Sequence, residues 1–138
     1  MGESGLDDFE TLAASIQRAF PASRLERLTE VQIAEIRCHY PVVPHHYLDF
    51  LRWIGWGSLG SSLMLYSGLC KPGDFFDAEI AVQLFGILFL GDNLGGWMVG
   101  FDARQDWRLV GVDCGSLDVE PLGFGSLGEF IAQRVADR

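Results

Sequence analysis

Apolar residues recur at spacings of three and four over residues 6–20, where Phe9, Leu12, Ala13, Ile16 and Phe20 form the stripe of an amphipathic helix. Acids crowd its first turn, where the helix dipole favours them, and Pro21 ends it. Thr29 followed by Gln32 is a capping box. It opens a second helix with Val31, Ile33, Ile36 and Tyr40 as its apolar positions and Pro41 as its stop. Pro44 suits the first position of a third helix, whose buried face is Tyr47, Leu48, Leu51 and Ile54, widened by Phe50 and Trp53. Gly55 and Gly57 read as its exit.

After Gly60 the period changes. Residues 62–66, 87–90, 97–102 and 108–113 are short, apolar and bounded by Gly, Asn or Asp, the mark of strands. Residues 92–96 and 103–106 read as turns of an antiparallel meander. Residues 74–85 are ambiguous, with one helical turn expected around 75–80. Ser126 and Glu129 form another capping box, opening a last helix with Leu127, Phe130, Ile131 and Val135 on one side. Helices, then an antiparallel sheet, then a closing helix make an α+β fold. No repeat or long linker divides the 138 residues, so a single domain over 1–138 is expected.

Composition narrows the classes. With 49% hydrophobic and 21% charged residues the chain should fold on its own. The longest apolar run, 80–90, is far below the roughly 20 residues that cross a bilayer, so no membrane partner is expected. The first basic residue is Arg18, the opposite of a secretory start. Cys38, Cys70 and Cys114 are odd in number and lack a CxxC pair. Together these point to a reducing cytoplasm.

The net charge of −9 is uneven. Residues 74–138 hold eleven acids and four bases, a net of −7, against eight acids and six bases, a net of −2, before them. Such a surface lacks the Lys/Arg stripe that nucleic acid needs, and it would steer a basic protein toward the later half.

No constellation carries catalysis. His45 and His46 are neighbours that diverge by about 100° on a helix, and with His39 they read as surface residues instead of metal ligands. Asp92, Asp102, Asp106 and Asp113 each stand at a strand end or turn, where aspartate closes the chain on its own backbone. The glycines of 55–60 follow a helix and match no phosphate loop. Neither a catalytic residue, a metal site nor a cofactor is expected. Among four tryptophans, Trp107, in an acidic turn beside Asp106, is the one expected to be partly exposed as an interface anchor.

Residues 40–51, YPVVPHHYLDFL, leading to Gly55-Trp56-Gly57, resemble the "LP-x-x-Y-x-x-F-L…N-G" signature of the SUKH superfamily. That superfamily includes bacterial immunity proteins against polymorphic toxins and fungal regulators of cell-wall assembly. Residues 89–97, FLGDNLGGW, with Phe101-Asp102, are similar to its "G-D-x-x-G-G" turn and following strand, and 126–131, SLGEFI, to its closing helix. The resemblance spans 29–135, leaves 1–28 as an amino-terminal helical extension, and departs from the pattern where Gly55-Trp56-Gly57 replaces Asn-Gly. It implies an α+β domain that works by stoichiometric binding without catalysis, in which Pro44, Tyr47 and Phe50 seat a helix and Gly95 and Gly96 shape a turn.

The expected function is therefore binding of a toxin domain with a basic surface, a nuclease for example. Contacts are expected from Asp92, Asn93, Asp106, Trp107, Asp118 and Glu120, in turns around 92–93, 106–107 and 118–120. A regulatory or scaffold module that binds a cellular protein is the rival. A small-ligand or enzymatic domain with a deep pocket of converging carboxylates is the third reading.

Overall fold

The computed structural model describes residues 5–137, with side chains from Asp8 onward. Five helices and seven strands follow in the order α1 (Gly5–Ala19), β1 (Arg24–Glu26), α2 (Glu30–His39), α3 (His45–Trp53), β2 (Trp56–Leu59), β3 (Leu63–Cys70), α4 (Ala78–Gln83), β4 (Ile87–Asp92), β5 (Trp97–Asp102), β6 (Arg108–Asp113), β7 (Val119–Pro121) and α5 (Leu127–Ala136). A 3-10 turn over Pro72–Asp74 precedes α4. The strands make one sheet in sequence order, every neighbour antiparallel, so the fold is α+β with a seven-stranded meander. Among the described residues no helix is long and apolar enough to cross a membrane.

Alternation along the strands divides the core in two. Leu65, Leu90, Val99, Phe101 and Leu109 face the helices and meet Leu12, Ile16, Tyr47, Phe50, Leu51, Phe130 and Ile131. On the other face Phe89, Met98, Val110 and Val112 pack with Leu84 and Ile87 beneath the shorter cover of α4 and the 3-10 turn. Full burial of an aliphatic or aromatic side chain is worth about 1.5–3 kcal/mol, so the larger, helix-side cluster carries most of the stability. Phe50 at 1% exposed is central to it.

Several expectations change in detail. Pro44 is the N-cap of α3, one position before the helix, with ψ 137° holding it extended. Gly57 belongs to β2 instead of a helix exit. Its φ of +129° and its contact with the Arg24 carbonyl leave no room for a Cβ, which is how β2 closes against β1. In α2 the capping box is present, with the Gln32 N–H donating to Thr29 Oγ1 at 3.2 Å and the Thr29 N–H to Gln32 Oε1 at 2.8 Å. Only Ile33 of that helix is buried, and Val31 points to solvent. The α5 box is half formed: Ser126 Oγ accepts the Glu129 N–H, but Glu129 reaches the Gly125 N–H and not that of Ser126.

Tertiary bonds fix the helices on the sheet. Arg52 of α3 holds Glu30 of α2 through two nitrogens at 2.7 and 3.2 Å and Asp49 through a third at 2.8 Å. His46 corrects the surface reading of the histidine pair. His45 is exposed, whereas His46 is half-buried against Phe101 and its Nδ1 accepts the Leu127 N–H at 3.1 Å, capping α5. Trp97 lies over Gly111, where any Cβ would sit 2.5 Å from the indole. Strand glycine there is the cost of seating a tryptophan flat on the sheet.

Candidate functional site

A meander sends alternate turns to opposite ends of the sheet. Pairing of Asp92 with Met98 and Trp97 with Asp113 sets residues 93–96 and 114–118 at one end, and pairing of Ile87 with Asp102 and Asp102 with Arg108 sets 103–107 at the other. Five rises of about 3.4 Å put roughly 17 Å between them. Asp92, Asn93 and Asp118 are thus brought together, and Asp106 and Trp107 are not part of that surface. Glu120 lies in strand β7 opposite Gly111, so 118–120 is the start of an edge strand and not a turn.

Charge separates along the same line. The segments 60–62, 92–97 and 113–120 contain Asp92, Asp113, Asp118 and Glu120 and no Lys or Arg. At the opposite end Arg104 and Arg108 flank Asp106. Arg134 of α5, which reaches Ser62 Oγ at 3.0 Å, is held with its guanidinium over Trp97 and Phe130 at 5.5 and 5.8 Å. Four of the eleven acids of residues 74–138 stand at this rim with Arg134 beside them, and Asp102 and Asp106 stand at the opposite end with Arg104 and Arg108.

That rim is locked by side chains bonding their own backbone. Asp92 Oδ1 accepts the Leu94 N–H at 2.8 Å, and Asn93 Oδ1 accepts those of Gly95 at 2.8 Å and Trp97 at 3.1 Å. Asp113 Oδ1 accepts from Gly115 at 2.8 Å and Ser116 at 2.9 Å, and these N–H groups, Ser116 first, hold its carboxyl below the usual range. Asp102 does the same for Arg104 at 3.0 Å. Asp106 is the exception to the expected pattern: it closes no such bond and sits at φ +57°.

The residue displayed by the lock is Leu94. It is 72% exposed and has φ +61°, a conformation L residues other than Asn and Asp seldom take. Sequence reading gave the turn's special geometry to Gly95 and Gly96, yet only Gly96 (φ +98°) and Leu94 have positive φ. Beside Leu94 a shallow cleft of about 290 Å³ runs between Tyr66, Phe75, Met98 and Cys114. Register makes Tyr66 a diagonal neighbour of Asp92, and its hydroxyl donates to Asp92 Oδ2 at 2.5 Å. Burial, then this bond, pushes the phenol above its ordinary range. Phe75, itself 45% exposed, stacks on Tyr66 at 5.6 Å.

Trp107 is partly exposed as expected, but its ring packs edge-on to Tyr40 at 6.1 Å and tilted to Phe101 at 5.9 Å, so it joins the core and is not a free anchor. Pro44, Tyr47 and Phe50 are structural: Tyr47 is 1% exposed, and its hydroxyl has no hydrogen-bond partner. Leu94 and Phe75 were the contact candidates missed in the sequence. The signal for Leu94 was available, as an apolar residue inside an Asp-Asn-Leu-Gly-Gly turn.

Burial pushes the thiols of Cys70 and Cys114 up, away from the thiolate a nucleophile requires. Among the described residues no three or more of His, Cys, Asp and Glu are grouped to hold a metal ion. No family model, curated protein or solved structure gives a match to the chain.

Proposed function

We propose that this domain acts by stoichiometric binding of another protein, as an immunity-type protein that covers a toxin domain with a basic surface. The observation that carries the reading is Leu94: an exposed apolar side chain in a strained conformation, held by Asp92 and Asn93 at a rim that also carries Asp113, Asp118 and Glu120, with Arg134 reaching Ser62 beside it. Strain at an exposed, locked turn has no stabilising role in the fold and suits a contact point. Carboxylates around an apolar centre speed encounter with a cationic partner and select against acidic ones. The resemblance of residues 29–135 to the SUKH pattern supports the same reading.

The test uses immobilised wild-type protein, Leu94→Gly and the Asp118→Lys/Glu120→Lys pair, each exposed to lysate of the source cells at low and then high salt. A basic toxin domain retained by the wild type, released by salt and lost with both variants is the expected result. Equal retention by all three would remove the rim from the interaction, and capture of a housekeeping protein alone would favour a regulatory module.

A further inference from the structure

An open groove of about 700 Å³ runs among α1, α3 and α5. Its apolar surface comes from Phe9, Leu12, Ala132 and Val135. Gly128, Ala132 and Ala136 recur every four residues on α5, so one row of that helix has no side chains long enough to fill the space. Three carboxylates, Asp8, Asp49 and Glu129, line it, with no Lys or Arg among the described lining residues. Asp49 is bonded to Arg52, and Glu129 accepts the Gly125 N–H at 3.0 Å. His46 also lines the groove; with Nδ1 engaged by Leu127, a neutral ring carries its proton on Nε2 as a donor.

We propose that this groove docks a basic amphipathic helix of a partner protein. Rows of side chains on two helices receive the ridges of a third. The span of α5 along the groove, Ser126 to Ala136, is about 15 Å, room for roughly three turns. An apolar stripe would lie on Leu12, Ala132 and Val135 while flanking Lys or Arg stems cover the edges and place their charges near Asp8 and Glu129. A second copy of this chain fits poorly, because its own charge of −9 would set like charges across the groove. The groove shares no residue with the cleft at Leu94, so the inference stands independently of the rim.

The probe is a synthetic amphipathic peptide of about three helical turns, Leu/Ala on one face and Lys on the other, beside a Glu-for-Lys counterpart. Amide shifts and fluorescence anisotropy are read on the full chain. The Lys peptide is expected to bind, shifting amides of α1 and α5, and the Glu peptide to bind at least about tenfold more weakly. Ala132→Trp, at an exposed position that fills the groove, and Asp8→Lys are each expected to weaken the Lys peptide by about tenfold or more, and Leu94→Gly to leave it unchanged. Equal binding of both peptides, shifts confined to the Leu94 rim, indifference to Ala132→Trp, or a dimer that Ala132→Trp dissociates would each overturn the proposal. Failure of the rim variants in the lysate experiment would leave it standing.

Discussion

The imidazole of His46, in the first turn of α3, caps the first residue of α5, Leu127, across 81 positions of the chain. The bond requires an unprotonated Nδ1. Burial lowers the folded pKa of His46 from 6.5, against the smaller raising effects of Glu129 and Asp49. The unfolded chain therefore binds the proton first as pH falls. Stability is full above about pH 6.5 and declines below it until the folded pKa is passed. Urea midpoints at pH 7.5, 6.5 and 5.5 should fall in that order for the wild type, and His46→Gln, which keeps an acceptor without titrating, should flatten the slope.

Tyr47 buries a hydroxyl with no hydrogen-bond partner, and removing an unsatisfied group restores its desolvation cost. Tyr47→Phe should leave stability unchanged or raise it by about 1 kcal/mol, read from chemical denaturation. Phe50→Ala, in the same helix, should lose about 3–5 kcal/mol. A large loss in Tyr47→Phe would mean that the hydroxyl has a partner in solution.

Leu94→Gly separates stability from contact. Glycine accepts φ +61° without strain, so the folded state should be equal or up to about 1 kcal/mol more stable by thermal melting. Loss of the apolar anchor should at the same time weaken partner affinity about tenfold in titration calorimetry. Unchanged affinity would make Leu94 a bystander.

Trp107→Ala should show the reverse behaviour. Its ring bridges Tyr40, at the end of α2, and Phe101 of β5, so truncation should cost about 2–4 kcal/mol. Its position about 17 Å along the strands from the acidic rim should leave the affinity of the folded fraction near that of the wild type. A stable variant with lost affinity would return Trp107 to the interface.

Gly111→Ala tests how Trp97 is seated. A Cβ would fall 2.5 Å from the indole, forcing the ring off the sheet, and overpacking of this kind costs about 1–3 kcal/mol. The near-ultraviolet circular dichroism of the tryptophans should change with it, whereas the helical signal should not.

Local patterns in the sequence determined the helices, the long central strands and the α+β order, because period, caps and turn residues act within a few positions. Thr29 with Gln32, Ser126 before α5 and the Asp and Asn residues at strand ends are all interactions of near neighbours. The three-residue strands β1 and β7 carry no period of their own and exist only through pairing with β2 and β6. Tertiary structure alone decided that His46 is a cap, that Trp107 packs on Phe101, and that Asp92, Asp113 and Asp118 share one end of the sheet while Asp102 and Asp106 lie at the other. Each of these depends on which strands lie side by side and in what register. Those choices are made by burial of residues far apart in the chain, which no window of the sequence contains.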